Sequence, residues 1–245
     1  MRKFMGLALF LLGAINACAA GGSGFVSIFD GKTLQGWSTA DMSYWSVEDG
    51  ALTGTVSTAH PNPYSRWIIW QGGEVGDFEL KLKFRIQGTV DANSGLQFRS
   101  TYDANQTHAR GYQADLVRDP KWMGLLYEEG TVRKILAHRG ERTVINAAGT
   151  RDTREFADPA KLFGYVKLDG WNEYRVIARG NDMKAIINGH LMSEVIDNDQ
   201  KYFQATGWIG LQLHHGPPMK VQFKDILLKK FPSAKPATSS VPPGN

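Results

Sequence analysis

The nine residues Phe78-Glu79-Leu80-Lys81-Leu82-Lys83-Phe84-Arg85-Ile86 alternate apolar and charged side chains without a break. Successive side chains of an extended chain point to opposite faces, so this stretch predicts a strand with one face in a core and the other in water. Glu173 to Ile177 and Lys220 to Leu228 repeat the style, bounded by Gly, Asp, Asn or Pro. Between Ala185-Ile186-Ile187 and His190-Leu191-Met192, the pair Asn188-Gly189 supplies residues that tolerate the positive φ angles of a tight hairpin. Many of the 27 glycines mark junctions such as Asp49-Gly50, Gly72-Gly73 and Asp169-Gly170, and no amphipathic helical run lasts four turns. Roughly ten short strands or more, with so little helix, predict an all-β jelly-roll sandwich of two packed antiparallel sheets rather than one small barrel.

The sandwich is expected to occupy residues 24–231 as one domain. Ahead of it, Arg2 and Lys3 precede an apolar run from Phe4 to Ile15 and the small-residue exit Asn16-Ala17-Cys18-Ala19-Ala20. Charge, apolar core and exit together make residues 1–17 an export signal, and the run falls short of the ~20 apolar residues of a membrane span. Two cleavage patterns fit. Ile15-Asn16-Ala17-Cys18 resembles a lipobox, with Asn16 an unusual member, and would leave Cys18 as a lipid-bearing membrane tether; Ala17-Cys18-Ala19 fits an ordinary small-x-small site. Either route takes the protein out of the cytoplasm, to the periplasm or to an outer-membrane anchor. Residues 232–245, rich in Pro and Ser, carry too little apolar surface to offset their ordering entropy and read as a disordered tail.

Charge adds little. The chain has 28 Lys and Arg against 24 Asp and Glu, and loss of Arg2 and Lys3 with the signal leaves 26 against 24. The basic residues are scattered among acids, which gives no case for a nucleic-acid partner. A single cysteine excludes an internal disulfide and a zinc site built from several cysteines.

Period 2 then sorts the polar residues. In Asn93-Ser94-Gly95-Leu96-Gln97-Phe98-Arg99 it sends Leu96 and Phe98 inward and displays Asn93, Gly95, Gln97 and Arg99. Tyr112, Ala114 and Leu116 turn inward opposite Gln113 and Asp115; Leu211 and Leu213 turn inward opposite Gln212 and His214. Glu128 and Glu129, after Gly124-Leu125-Leu126-Tyr127, are candidates to add carboxylates beside them. A solvated strand face usually carries Thr, Lys, Glu and Ser. Gln beside Arg, Asp or His instead presents planar donors and acceptors suited to sugar hydroxyls. Trp122 and Tyr127 flank the Asp115 region as rings on which a sugar face could stack. Trp37, Trp45 and Trp171, beside turns, are expected to plug sheet ends. His60, His108 and His138 read as surface residues, His190 as partnerless, His215 as loop edge, and Arg118, Lys121, Arg133 and Lys134 as solvated loop charge.

Taken in order, Phe25 to Trp37, Tyr44 to Gly50, Gly76 to Leu80, Asn93 to Arg99, Gly111 to Asp115, Gly124 to Glu128, Trp171-Asn172, Asn188-Gly189 and Ile209 to His214 resemble the 3-keto-disaccharide hydrolase family, formerly a domain of unknown function. The resemblance covers nearly all of the domain and implies a concanavalin A-like fold and a keto-sugar substrate. In a glycoside oxidised at C3, the ketone acidifies the C2 hydrogen and the C1 leaving group lies β to the carbonyl. A base can therefore cleave the bond by elimination, and water addition to the enone completes a net hydrolysis. Such chemistry needs a base near C2, a donor or metal for the enolate oxygen and an acid for the leaving oxygen. What the resemblance implies for roles is Asp115 or His214 as base, Arg99 as enolate clamp, Glu128 as acid, and Asn93, Gln97, Gln113 and Gln212 orienting hydroxyls. An alternative has Asp115, Glu128 and His214 hold one divalent metal ion as Lewis acid. Many relatives read Gly-Tyr-Glu where this chain has Gly111-Tyr112-Gln113, which moves the acid-base expectation to Asp115. The chain has no Gly-x-Gly-x-x-Gly turn for a dinucleotide, so a separate sugar 3-dehydrogenase would make the ketone. The competing reading is a non-catalytic carbohydrate-binding or cell-surface module.

Overall fold

A computed structural model describes residues 24–232, so the export signal with Cys18 and nearly all of the tail lie outside the described residues. The first strands are β1 (Val26–Ser27), β2 (Trp37–Ser38), β3 (Trp45–Glu48), β4 (Ala51–Val56), β5 (Arg66–Trp70) and β6 (Phe78–Gly88). There follow β7 (Asn93–Tyr102), β8 (Ala109–Val117), β9 (Leu126–Glu129), β10 (Lys134–Ala137), β11 (Glu141–Ile145) and β12 (Arg151–Glu155). The last are β13 (Asn172–Arg179), β14 (Asp182–Ile187), β15 (His190–Asp197), β16 (Trp208–Leu213) and β17 (Met219–Lys230). Among the described residues, helix is confined to the short segments Met42–Tyr44 and Pro159–Phe163, the latter capped by the Asp158 carboxylate on Ala160 N–H.

These strands make the expected all-β sandwich. A ten-stranded sheet runs β12-β11-β15-β14-β13-β6-β17-β4-β3, with β1 added on β17; a seven-stranded sheet runs β10-β9-β8-β7-β16-β5-β2. One pairing departs from the antiparallel expectation, because β11 and β15 run parallel. The hairpin between β14 and β15 turns at Asn188 and Gly189, with φ of 50° and 82°.

Alternation fills the space between the sheets. β6 sends Phe78, Leu80, Leu82, Phe84 and Ile86 inward, where Leu96, Phe98, Tyr112, Ala114, Leu116, Leu211 and Leu213 meet them. Each such side chain contributes about 1.5–3 kcal/mol by leaving water. Trp37 and Trp45 join this core, and Trp37 Nε1 donates to Ile28 O at 2.8 Å. Trp171 does not plug the core; it lies half-buried on the outside, between Arg85 and Lys224. His190 has a partner after all, stacking on Tyr165 at 3.5 Å.

The two outward faces differ. On the larger sheet, Lys81 pairs with Glu173, Lys83 with Asp225, Arg175 with Glu79, and Lys220 with Glu48. A depression of about 550 Å³ there is lined by the first two of these pairs, whose charges already satisfy one another. The outward face of the smaller sheet carries the amides and carboxyls picked out by parity.

Candidate active site

Register brings those residues together. Asp115 on β8 lies opposite Gly95 on β7, Gln113 opposite both Gln97 and Tyr127, and Gln212 on β16 opposite Trp67 on β5. All of Gln97, Gln113, Asp115 and Gln212 are buried although they point away from the main core. Two glycines make this dense layer possible. A Cβ at Gly95 would sit 2.5 Å from Gln113 Cδ, and one at Gly210 would sit 2.4 Å from the Tyr102 hydroxyl. Gln113 therefore lies over Gly95, and its Nε2 donates to Asp115 Oδ1 at 2.7 Å. The Gln97 amide is oriented by a relay: its Nε2 donates to Ser100 Oγ at 2.9 Å, whose own proton goes to Phe98 O. Gln97 Oε1 and Gln113 Oε1 are left with no partner among the described residues.

A cavity of about 480 Å³ opens on the same face, walled by Trp67 and Tyr127, the register partners of Gln212 and Gln113, together with His108, Glu129, Lys134 and His214. Beside it Trp67, Ile69 and Ala109 form a small apolar cluster with Tyr102 and Trp208, separate from the main core. Asp115, only 8 % exposed, has no cation among its hydrogen-bond partners. Burial pushes its pKa up to about 8 against the pull of the Gln113 hydrogen bond, and the Glu129 charge pushes the same way. Burial also raises Glu129, while Lys134 and the nearby Gln212 amide favour its carboxylate form. Gln212 closes no hydrogen bond with it. The Tyr127 phenol, pushed up to about 12 by burial and then by Glu129 and Asp115, stays neutral. Burial lowers His214, whose Nδ1 lies 2.6 Å from His215 O. A carbonyl only accepts, so Nδ1 carries the proton and Nε2 keeps its lone pair.

Several sequence expectations are corrected. Arg99 is not displayed with Gln97: a bulge between Phe98 and Thr101 puts it at φ 45° and turns its guanidinium to Gly76 O, Gly180 O and Asp77. Glu128 points to the other side of the sheet, because it pairs with inward-facing Tyr112 on β8. There it is held by two hydrogen bonds of 2.6 Å from Arg133 and a short one from Thr131. Arg133 is no solvated loop charge; its side chain is 6 % exposed and also meets Asp197 and Asp199. Asp115, Glu128 and His214 are thus not gathered around one point, and no group of three or more metal-ligating side chains occurs among the described residues. That set does not fit a shared divalent ion. Trp122 stacks on His138 and Lys121 and lies outside the cavity lining. Arg118 donates to Ile86 O and Leu168 O, a structural tie.

Asn93 sits at the start of β7, half-buried, with Oδ1 unpartnered among the described residues. Of the lining residues, sequence reasoning offers Glu129 as a neighbouring carboxylate without a role, places Lys134 among solvated loop charges and does not single out Trp67. A signal existed for two of them: Leu126 is apolar, so alternation alone sends Glu128 inward and Glu129 outward, and the unbroken apolar run Trp67-Ile68-Ile69-Trp70 implies that both faces of β5 are covered.

A family model described as the 3-keto-alpha-glucoside-1,2-lyase-like domain matches residues 24–229. The chain belongs to this family. Membership in the 3-keto-alpha-glucoside-1,2-lyase-like family gives it a carbohydrate-acting role in general terms. No curated protein sequence matches it significantly. Among solved structures, a protein of Parabacteroides distasonis ATCC 8503 provisionally classed as a glycosyl hydrolase is 18% identical, with a TM-score of 0.53 over 85% of this chain and 94% of that one. The carbohydrate-binding module CBM66 of Bacillus subtilis is 15% identical, with a TM-score of 0.52 over 80% and 96% of the two chains. A Bacillus subtilis protein of unknown function with a galectin-like fold is 14% identical, with a TM-score of 0.51 over 78% and 87%. These likenesses show the sandwich fold.

Proposed function

We propose that this member of the family cleaves 3-keto-glycosides by elimination on the outward face of the seven-stranded sheet, with His214 as base and Asp115 as acid. The observation that carries the reading is a half-buried carboxyl, Glu129, and an imidazole whose tautomer leaves Nε2 free, both in the wall of one cavity, with the buried Asp115 carboxyl close enough to Glu129 to feel its charge. Two coupled carboxyls whose environments differ divide into one neutral and one charged. Glu129, beside Lys134, takes the charge, and Asp115 keeps the proton.

His214 Nε2 removes the C2 proton, and the electron pair of that bond forms the C2–C3 enolate. Collapse of the enolate restores the C3 ketone, forms the C1–C2 double bond and breaks the bond from C1 to the leaving oxygen, which takes the Asp115 proton. Water then adds to the enone: Asp115, now a carboxylate, takes its proton as hydroxide joins C1, and the His214 imidazolium returns a proton to C2. Gln97, Gln113 and Asn93 offer bare acceptor oxygens to the sugar hydroxyls. The reading extends to context. The N-terminal signal would export the protein, with Cys18 its tether if lipidated, and a separate sugar 3-dehydrogenase would supply the ketone.

The test is turnover of a 3-keto-glucoside beside the parent glucoside. Cleavage of the ketone alone is expected, with Asp115→Asn losing about 10²–10⁴-fold in kcat/KM and Glu128→Gln keeping kcat while losing thermal stability. Binding of keto-glycosides without any turnover would replace the reading by a carbohydrate-binding module.

A further inference from the structure

The correction of Arg99 leaves the enolate oxygen without its expected partner, and Trp67 in the cavity wall, with Gln212 opposite it in register, offers another. Trp67 Nε1 and Gln212 Nε2 are buried donors with no acceptor among the described residues. They belong to residues directly opposite one another on β5 and β16, a placement that sets Cβ atoms about 4.5–5.5 Å apart on one face. An indole nitrogen donates only, and a Gln amide has two N–H groups, so one can lean on Glu129 while the other stays free. Unpaired buried donors are costly. Across the sheet, on β7 and β8, the bare atoms Gln97 Oε1 and Gln113 Oε1 are acceptors. Gln212 Oε1 is bare as well, so what sets the β5–β16 side apart is its two unpaired donors, which suit an oxygen that only accepts.

We propose that Trp67 Nε1 and Gln212 Nε2 form an oxyanion-binding pair that recognises the C3 ketone and holds the enolate oxygen formed from it. The inference rests on the elimination reading for its chemistry, while its recognition component stands apart from turnover. His214, two residues on from Gln212 and one past the end of β16, shares the cavity wall with Trp67, which would set the base beside the ketone.

Ketone recognition is measured by calorimetry with methyl 3-keto-glucoside and methyl glucoside in Asp115→Asn protein, which does not consume the ligand. Tighter binding of the ketone is expected, and adding Trp67→Phe, which keeps an aromatic ring and removes the donor, should erase at least about tenfold of that preference. In otherwise unaltered protein, Trp67→Phe should lower kcat by about 10²–10³-fold, the usual effect of one lost oxyanion donor, with a smaller change in KM. Gln212→Met serves as second variant and decides the matter if Trp67→Phe does not fold. Unchanged preference and unchanged kcat in the folded variants, or no preference for the ketone before substitution, overturn the proposal. Selective ketone binding without turnover would sink the elimination reading and leave this pair standing; turnover indifferent to both substitutions would do the reverse.

Discussion

Asp115 shows how much one side chain's surroundings decide. Parity placed it on the displayed face, but its chemistry comes from Gly95, which lets Gln113 lie flat and cover it, and from Glu129 close by. Neither neighbour is adjacent in sequence, so the raised pKa was not legible there. The pH dependence follows. His214 must be unprotonated, so kcat/KM should fall as pH drops through its lowered pKa; Asp115 must be protonated, so the rate should fall as pH rises through about 8. A bell-shaped profile is expected, with the alkaline limb moving to lower pH in Glu129→Gln as the charge that raises Asp115 is removed. Stability carries the same signature. A carboxyl raised on folding contributes most below its unfolded pKa of about 3.9 and loses that contribution as pH climbs to about 8. Asp115→Asn should therefore gain stability relative to the natural protein between pH 5 and pH 9, by an amount on the order of a few kcal/mol, read from denaturant unfolding at the two pH values.

At the scale of elements, alternation was a faithful guide wherever a strand stayed regular. β6, β13 and the β14–β15 hairpin fold as their patterns require, and Leu96, Tyr112 and Leu211 lie where period 2 sends them. It failed at Arg99 because a bulge shifts the face of everything beyond it, and that bulge answers to tertiary contact: a Cβ at Gly207 would lie 2.4 Å from the Arg99 carbonyl carbon. The expectation that Glu128 is displayed failed where alternation, counted from Leu126, holds: the inward carboxylate of the four-residue β9 is held by Arg133, contributed by the following turn. Arg133 is the single cation among Glu128, Asp197 and Asp199 in this buried group. Arg133→Met leaves three carboxylates without it and should cost about 3–5 kcal/mol in urea unfolding. Arg133→Lys should recover part of the charge and little of the paired geometry on Glu128.

Over the whole molecule, the family match and the sandwich occupy almost the same residues, 24–229 within the described 24–232. No helix among the described residues is long and apolar enough to cross a membrane. A chain ending at Phe231 should keep the melting temperature and keto-glycoside turnover of the full chain; a loss of either would assign residues 232–245 a part in the fold or the site. The general class of the molecule was readable because burial patterns repeat across many strands. The candidate face was readable only from residue types, and the structure adds a contrast: one face neutralises its own charges across strands, the other keeps amide atoms bare.

The floor of the cavity is made by strands and its rim by loops. Trp67, Tyr127 and Glu129 are fixed by sheet register, with Gln212 and Gln113 opposite the first two, whereas Tyr64, His108 and His215 stand on connections between strands. A loop can lengthen or change its side chains without disturbing a ladder of backbone hydrogen bonds. If the proposed reaction is right, two properties are thereby uncoupled in inheritance: the demand for an oxidised sugar would be written into the ladder, and taste for one leaving group over another into segments free to drift. Shuffling the three rim loops among relatives should accordingly yield new selectivities on an old reaction, and an inhibitor that touches only the floor should be indifferent to which loops surround it.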